Sequence, residues 1–164
     1  MKVMLDTGVL ISLACATRPL HGRAVRCLQL LKARKDLIVV SPLALSEYAV
    51  QNDVGMLMKC VGIDDIPLYN QQHALTAARF RLRLKGKERR DDNNRRDVVI
   101  NDIQIMAQAD IERVDVVLTE DRETFLKNAR TLKEEGLTMI TAVNLLDKDE
   151  VVQTLNLGQL EFNI

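Results

Sequence analysis

The chain of 164 residues is long enough for one domain with a sizeable hydrophobic core. Its net charge is zero, with 47% hydrophobic and 28% charged residues, so overall charge does not indicate a nucleic-acid-binding protein. No apolar run is long enough to cross a bilayer, and Met1-Lys2 leads directly into a strand-like run without a separable signal peptide. We therefore expect a single cytoplasmic domain over 1–164, without membrane attachment.

The cysteines indicate a reducing compartment. Cys15, Cys27 and Cys60 are odd in number, widely spaced and set among apolar residues. Cysteines of this kind are more often free buried thiols than disulfide partners or zinc ligands.

The first half of the chain alternates short apolar runs with helical patterns. Such runs of four or five residues predict strands, whereas apolar residues at helical spacing predict helices. Ser41-Pro42 is a suitable start for a helix, because proline is tolerated in a first turn. The pattern predicts strands over 2–6 and 37–40, and helices over 8–16, over 20–35, from Ser41 to about 50, and over 53–61.

The second half continues the alternation after a polar interruption. Residues 85–97 carry Gly86 and Asn93-Asn94 and are expected to form a loop. Gly136 is well placed to end a helix. The predicted elements are helices over 70–84, 98–111 and 122–135, strands over 115–119 and 137–141, and a short helix opening the tail at 143–164, of which about 147–164 is expected to be peripheral.

Strands that are apolar throughout and separated by helices predict a parallel sheet covered on both faces. The expected fold is therefore α/β, a three-layer α/β/α sandwich around a mainly parallel sheet. In such folds the working site lies beyond the carboxyl ends of the strands.

Four acidic residues lie where a strand ends or on the helix that follows. Asp6 closes the first apolar run, Glu47 follows the second, Asp102 lies in the run from Val98 to Ala109, and Asp121 follows Val116-Val117-Leu118. Carboxylates brought together in this way repel each other unless a cation lies between them. Oxygen ligands are those that Mg²⁺ and Mn²⁺ prefer, so the four acids predict a divalent-metal site.

The sequences around these acids resemble the PIN domain family. Leu5 to Ile11 is similar to its opening strand-Asp-helix segment, and Ser41 to Tyr48 to its second block. Asn101 to Ala109 is similar to its Asn-Asp helix, and Val117 to Phe125 to its strand-Thr-x-Asp-x-x-Phe block. The four blocks occur in the family's order over about 1–146, and a long basic segment at 85–97 departs from its pattern.

The resemblance implies a PIN-like fold and a metal-dependent endoribonuclease, commonly a VapC-like toxin of a toxin–antitoxin pair. It implies that Asp6, Glu47, Asp102 and Asp121 hold Mg²⁺ or Mn²⁺ and form the catalytic site. Thr7 and Thr119 would orient ligands or waters around it. The resemblance further implies an RNA substrate, a homodimer and an antitoxin partner that covers the site.

A basic stretch around the predicted loop is the candidate surface for RNA. Local positive charge can contact phosphates even in a neutral protein, although a solvated helix end with its loop explains the same residues. The candidate RNA-binding residues are Arg83, Lys85, Lys87, Arg89, Arg90, Arg95 and Arg96.

Structural explanations exist for each acid. Asp6, Asp102 and Asp121 could cap the helices that begin near them, and Glu47 could be a solvated helix residue. At the level of the whole chain, the alternative to a nuclease is a catalytically weak or inactive PIN-like module that binds RNA or protein. Phosphatases of the haloacid dehalogenase type are disfavoured, because Gly8 occupies the position of their second Asp.

Overall fold

Four parallel strands form the centre of the computed structural model, which describes residues 1–84 and 93–157, with side chains in the second range described from Val99 onward. The strands are β1 (Lys2–Leu5), β2 (Leu37–Val40), β3 (Val116–Thr119) and β4 (Thr141–Asn144), in the order β2-β1-β3-β4. All the strand pairs within the described ranges are parallel, which confirms the predicted sheet type.

The strands form because they can be buried on both faces. Every residue of β3 is buried, as are the last three residues of β1, β2 and β4. Side chains on successive positions point to opposite faces, so a continuously apolar strand needs cover on each side. The helices that provide this cover are α1 (Thr7–Ala14), α2 (His21–Ala33), α3 (Pro42–Ala49), α4 (Val54–Val61), α5 (Gln71–Leu84), α6 (Asn93–Ile111), α7 (Lys127–Glu134) and α8 (Lys148–Thr154).

The order of the strands creates a switch point between β1 and β3. The chain runs from β1 to β2 on one side, then returns to place β3 on the other side of β1. Helices that follow neighbouring strands then leave in opposite directions, which opens a crevice at the carboxyl ends. Asp6 follows β1 and Asp121 lies two residues beyond β3, so both lie at this crevice.

Several predicted boundaries were wrong. The short helix of the tail is α8, which begins at Lys148 rather than at 143. Helix α6 begins at Asn93, so 93–97 are helical rather than part of a loop, while 85–92 lie outside the described residues. The last strand is β4 at Thr141–Asn144 rather than 137–141. The Thr138 hydroxyl donates to Asp110 at 2.6 Å and accepts the backbone N–H of Ile140, which holds this segment as a connection ahead of the strand.

The helix predicted over 122–135 is divided in two. It opens with a π-helical segment at Arg122–Leu126, here called the π turn, and continues as α7. Gly136 adopts a left-handed conformation with φ of +68° directly after the helix, as its place in the sequence predicted.

The cysteine prediction is confirmed in part. Cys15, Cys27 and Cys60 are free thiols, but Cys27 is buried, Cys15 is half-buried and Cys60 is exposed. Across the described ranges, the helices are too short or too polar to span a membrane.

Candidate functional site

Asp6 joins the end of β1 to the start of α1. Its Oδ1 accepts the backbone N–H of Thr7 at 2.8 Å, so it does cap α1, as the structural explanation predicted. Its Oδ2 accepts the buried hydroxyl of Thr119, at the end of β3, at 2.7 Å. The side chain of Asp6 is only 6% exposed, and capping alone does not require such burial.

Asp121 occupies the corresponding position after β3. Its Oδ1 accepts the backbone N–H groups of Glu123 and Thr124 at 2.8 and 2.9 Å, which caps the π turn. Its own N–H donates to the Thr119 hydroxyl at 3.0 Å. Thr119 therefore connects the two acids that follow neighbouring strands.

Glu47 lies on α3 and accepts two side-chain hydrogen bonds. The hydroxyl of Thr7 donates to Oε2 at 2.5 Å, and the side-chain amide of Asn101 donates to Oε1 at 2.6 Å. The side chain of Glu47 is half-buried and has two partners, so it is not a freely solvated helix residue.

Asp102 lies in the middle of α6, and its side chain is only 7% exposed. Because α6 begins at Asn93, Asp102 does not cap the start of this helix, and that structural explanation is wrong as well. Its Oδ2 accepts the hydroxyl of Thr124 at 2.7 Å, and the same hydroxyl contacts Oδ2 of Asp121.

The four acids influence one another's charge. The pKa of Asp6 is raised to about 6, chiefly by burial and also by the negative charges of Glu47 and Asp121, against hydrogen bonds from Thr119 and Thr7 that lower it. Burial also raises the pKa of Asp102 to about 8, with added repulsion from Asp6, Asp121 and Glu47 and an opposing hydrogen bond from Thr124. The structure thus brings all four acids within electrostatic reach of each other.

None of the ion pairs described in residues 1–84 and 99–157 includes one of the four site acids. The ion pairs observed there involve other acids, such as Asp36, Glu112, Glu120, Glu135 and Glu150. Burying carboxylates without a cationic partner lowers the stability of the folded protein, so a bound cation would stabilise this site.

The carboxylate oxygens of the four acids are the kind of ligand that a hard divalent cation prefers, although the four side chains do not all point to one position. Among the residues that the structure describes, no three His, Cys, Asp or Glu side chains already form a group that could hold a metal ion. Mg²⁺ retains several of its waters and needs only one or two carboxylates directly, so it does not require three side chains to converge. Carboxylate oxygens with no His or Cys beside them suit Mg²⁺ or Mn²⁺ better than zinc.

Thr7 and Thr119 were predicted to orient ligands around the acids, and each of them contacts a carboxylate. The contacts of Asn101 and Thr124 were not predicted. Asn101 had a signal, because it directly precedes Asp102 in the Asn-Asp block. Thr124 had none, since a threonine in a helical turn is common on any surface.

Most of the candidate RNA-binding residues have no described side chain. Lys85, Lys87, Arg89 and Arg90 lie outside the described residues, and Arg95 and Arg96 lie in α6 without described side chains. Arg83 is exposed and pairs with Glu135 at 2.7 Å, which is the arrangement of a solvated helix end.

Comparison with known proteins gives similarity in structure only. The chain matches no protein-family model and no curated protein sequence. It is similar to the crystal structure of VapBC2 from Rickettsia felis bound to a DNA fragment from their promoter, with a TM-score of 0.58, 19% identity, and 88% of this chain and 98% of that chain covered. It is also similar to FitAcB from Neisseria gonorrhoeae, with a TM-score of 0.58, 17% identity, and 88% and 99% covered.

These findings correct the predicted family. At 17–19% identity the likeness shows a shared fold alone. One of the two is described as bound to a DNA fragment from a promoter, and neither name describes a PIN toxin or a ribonuclease. The prediction that the chain is a VapC-like toxin of the PIN family is therefore wrong.

Proposed function

We propose that this chain is a metal-dependent endoribonuclease that hydrolyses phosphodiester bonds, working as one component of a toxin–antitoxin complex. The observation that carries the proposal is the meeting of Asp6, Glu47, Asp102 and Asp121 at the switch point of the sheet, with Asp6 and Asp102 almost fully buried. Burying coupled carboxyls lowers stability, so their presence together is better explained by chemistry than by folding.

The four acids would hold one or two Mg²⁺ or Mn²⁺ ions. Such an ion lowers the pKa of a bound water and neutralises charge on a phosphate. The chain's own groups fix the geometry: Thr119 orients Asp6, while Thr7 and Asn101 hold the two oxygens of Glu47. The proposed reaction is in-line attack of water on phosphorus with departure of the 3′ oxygen, which leaves 5′-phosphate and 3′-hydroxyl ends.

The likeness to VapBC2 and FitAcB supports the placement in a two-protein system. We place the chain in the cytoplasm, with RNA as substrate, an antitoxin protein that covers the acidic site, and a second copy of the chain in a homodimer. The basic residues between Arg83 and Arg96 would hold the RNA backbone, which gives affinity without choice of sequence.

The test is a cleavage assay on total RNA, with and without Mn²⁺, using Asp6→Asn and Asp102→Asn. Asp115→Asn is the matched control, because Asp115 accepts the N–H of Lys2 at the opposite end of β1. We expect cleavage to fall on the order of 100-fold or more in the first two variants and to stay unchanged in the control. Metal-dependent cleavage that persists in both site variants would overturn the proposal.

A second candidate is a binding component without catalysis. It is favoured by the promoter DNA in the VapBC2 structure and by the absence of a closed metal-binding group among the described side chains. Calorimetric titration with Mn²⁺ separates the two functions, since a binding component has no need of a specific divalent ion at Asp6 and Asp102.

A further inference from the structure

The hydroxyl of Thr124 contacts the side-chain carboxylates of two of the four acids. Its Oγ1 lies 2.7 Å from Oδ2 of Asp102 and also contacts Oδ2 of Asp121. Asp102 belongs to α6, and Asp121 to the connection between β3 and the π turn. The hydroxyl is thus a shared contact between two elements that are distant in sequence.

The position of Thr124 is set by the fold. Its backbone N–H donates to Oδ1 of Asp121 at 2.9 Å, which fixes the start of the π turn. The next residue, Phe125, is 0% exposed, and Leu126 is buried as well, so the turn is anchored in the core. The hydroxyl is therefore held at the acids by packing behind it.

The contacts of Thr124 differ from those of the other site threonines. Thr119 donates to the carboxylate of Asp6 and accepts a backbone N–H, and the Thr7 hydroxyl contacts Glu47 alone. A hydroxyl has a single hydrogen, so Thr124 donates to one carboxylate at a time while remaining beside both. This keeps two mutually repelling carboxylates close to one point.

From these contacts we infer that Thr124 is a positioning residue, which sets the separation of the Asp102 and Asp121 carboxylates and thereby the affinity of the site for a divalent cation. The inference rests on the proposed function, since it assumes that these carboxylates bind the ion. Groups that orient metal ligands in this way typically alter metal affinity by about 10- to 100-fold when removed.

The experiment measures Mn²⁺ binding by calorimetry in the full chain, for wild type, Thr124→Val and Thr124→Ser. Valine has the shape of threonine but lacks the hydroxyl, whereas serine retains it. We expect Thr124→Val to weaken Mn²⁺ binding at least about tenfold and Thr124→Ser to remain within about threefold of wild type. RNA cleavage by Thr124→Val should require a correspondingly higher Mn²⁺ concentration for its half-maximal rate.

Thr138→Val is the matched control, because Thr138 is buried and donates to Asp110 ahead of β4, away from the four acids. It loses a threonine–aspartate hydrogen bond of the same kind, so it is expected to unfold more easily with unchanged Mn²⁺ affinity. If Thr124→Val does not fold, Thr124→Ala replaces it in the comparison with Thr124→Ser.

The outcomes separate this inference from the proposed function. Wild type that binds no Mn²⁺ overturns both. Wild type that binds Mn²⁺ with the same affinity as Thr124→Val overturns the positioning role alone, as does a Thr138→Val variant that weakens binding equally.

Discussion

The side-chain amide of Asn101 donates to Oε1 of Glu47 across a distance of 2.6 Å. This hydrogen bond joins α6 to α3, the two helices that carry Asp102 and Glu47. Because the Thr7 hydroxyl occupies the other oxygen, both oxygens of Glu47 are held in fixed directions. A flexible surface glutamate thereby becomes a fixed member of the acidic site.

Removal of the Asn101 amide should act through Glu47. We expect Asn101→Ala to lower the rate of RNA cleavage about tenfold, because the carboxylate loses its fixed direction. In a Glu47→Ala background the same change should have no further effect, which a double-mutant cycle measures. Asn52→Ala is the control, since Asn52 donates to the backbone of Tyr48 instead. Effects of Asn101→Ala and Glu47→Ala that simply add would show that the two residues act independently.

Asp102 makes the stability of the metal-free protein dependent on pH. Its pKa is about 8 in the folded protein, above the ordinary value of 3.8, so the folded state binds this proton more tightly than the unfolded chain. The resulting stabilisation is fully present below about pH 4 and is lost as pH rises through about 8. Asp6 contributes a similar stabilisation of the folded state, which is lost as pH rises through about 6.

Asp102→Asn should therefore reduce the loss of stability with rising pH. At about pH 8 to 9 we expect the metal-free variant to be a few kcal/mol more stable than wild type, and the difference to shrink toward about pH 4. Urea unfolding in the presence of a chelator, at several pH values, measures this. A variant as sensitive to pH as wild type would mean that Asp102 is ionised at low pH in the folded state.

A divalent cation should stabilise the folded protein. At an Mn²⁺ concentration of about one hundred times the dissociation constant, the free energy of unfolding rises by about 2.7 kcal/mol. Asp6→Asn should lose most of this gain, because it removes one of the proposed ligands. Thermal unfolding with increasing Mn²⁺ checks the effect, and equal stabilisation of wild type and variant would indicate binding elsewhere.

The packing behind the site should dominate stability. Phe125 is 0% exposed beneath the π turn, so Phe125→Ala is expected to lower the free energy of unfolding by about 3–5 kcal/mol. Leu82 is 75% exposed on α5, and Leu82→Ala should change it by about 0.5 kcal/mol or less. Urea unfolding at one pH compares them, and similar losses would mean that the described burial of Phe125 is incorrect.

The parallel sheet was predictable because its strands are apolar on both faces. Val3-Met4-Leu5 and Val116-Val117-Leu118 are apolar on both faces, and such segments are stable only between two layers of helices. Asp6 follows the first of these strands directly and Asp121 lies two residues beyond the end of the other, so their location at the carboxyl edge was predictable from the strands themselves.

Element boundaries depended on forces that the local sequence does not show. The polar residues at 93–97 favour a loop in isolation, yet extending an existing helix costs far less than starting one. The apolar residues at 137–140 favour a strand, yet β4 pairs with β3 only from Thr141 onward. Met139 is left 84% exposed, which apolar patterning could not predict.

The contacts around the acids were the least predictable part of the site. Asn101 meets Glu47 across 54 positions of sequence, and Thr124 meets Asp102 across 22. Contacts of this kind require both elements to be docked on the sheet, so no single segment of the sequence contains them.

The switch point between β1 and β3 has a consequence for protein synthesis. Asp6 is synthesised more than a hundred residues before its hydrogen-bond donor Thr119 and its neighbour Asp121. A nascent chain or a proteolytic fragment that stops before β3 therefore cannot assemble the acidic site.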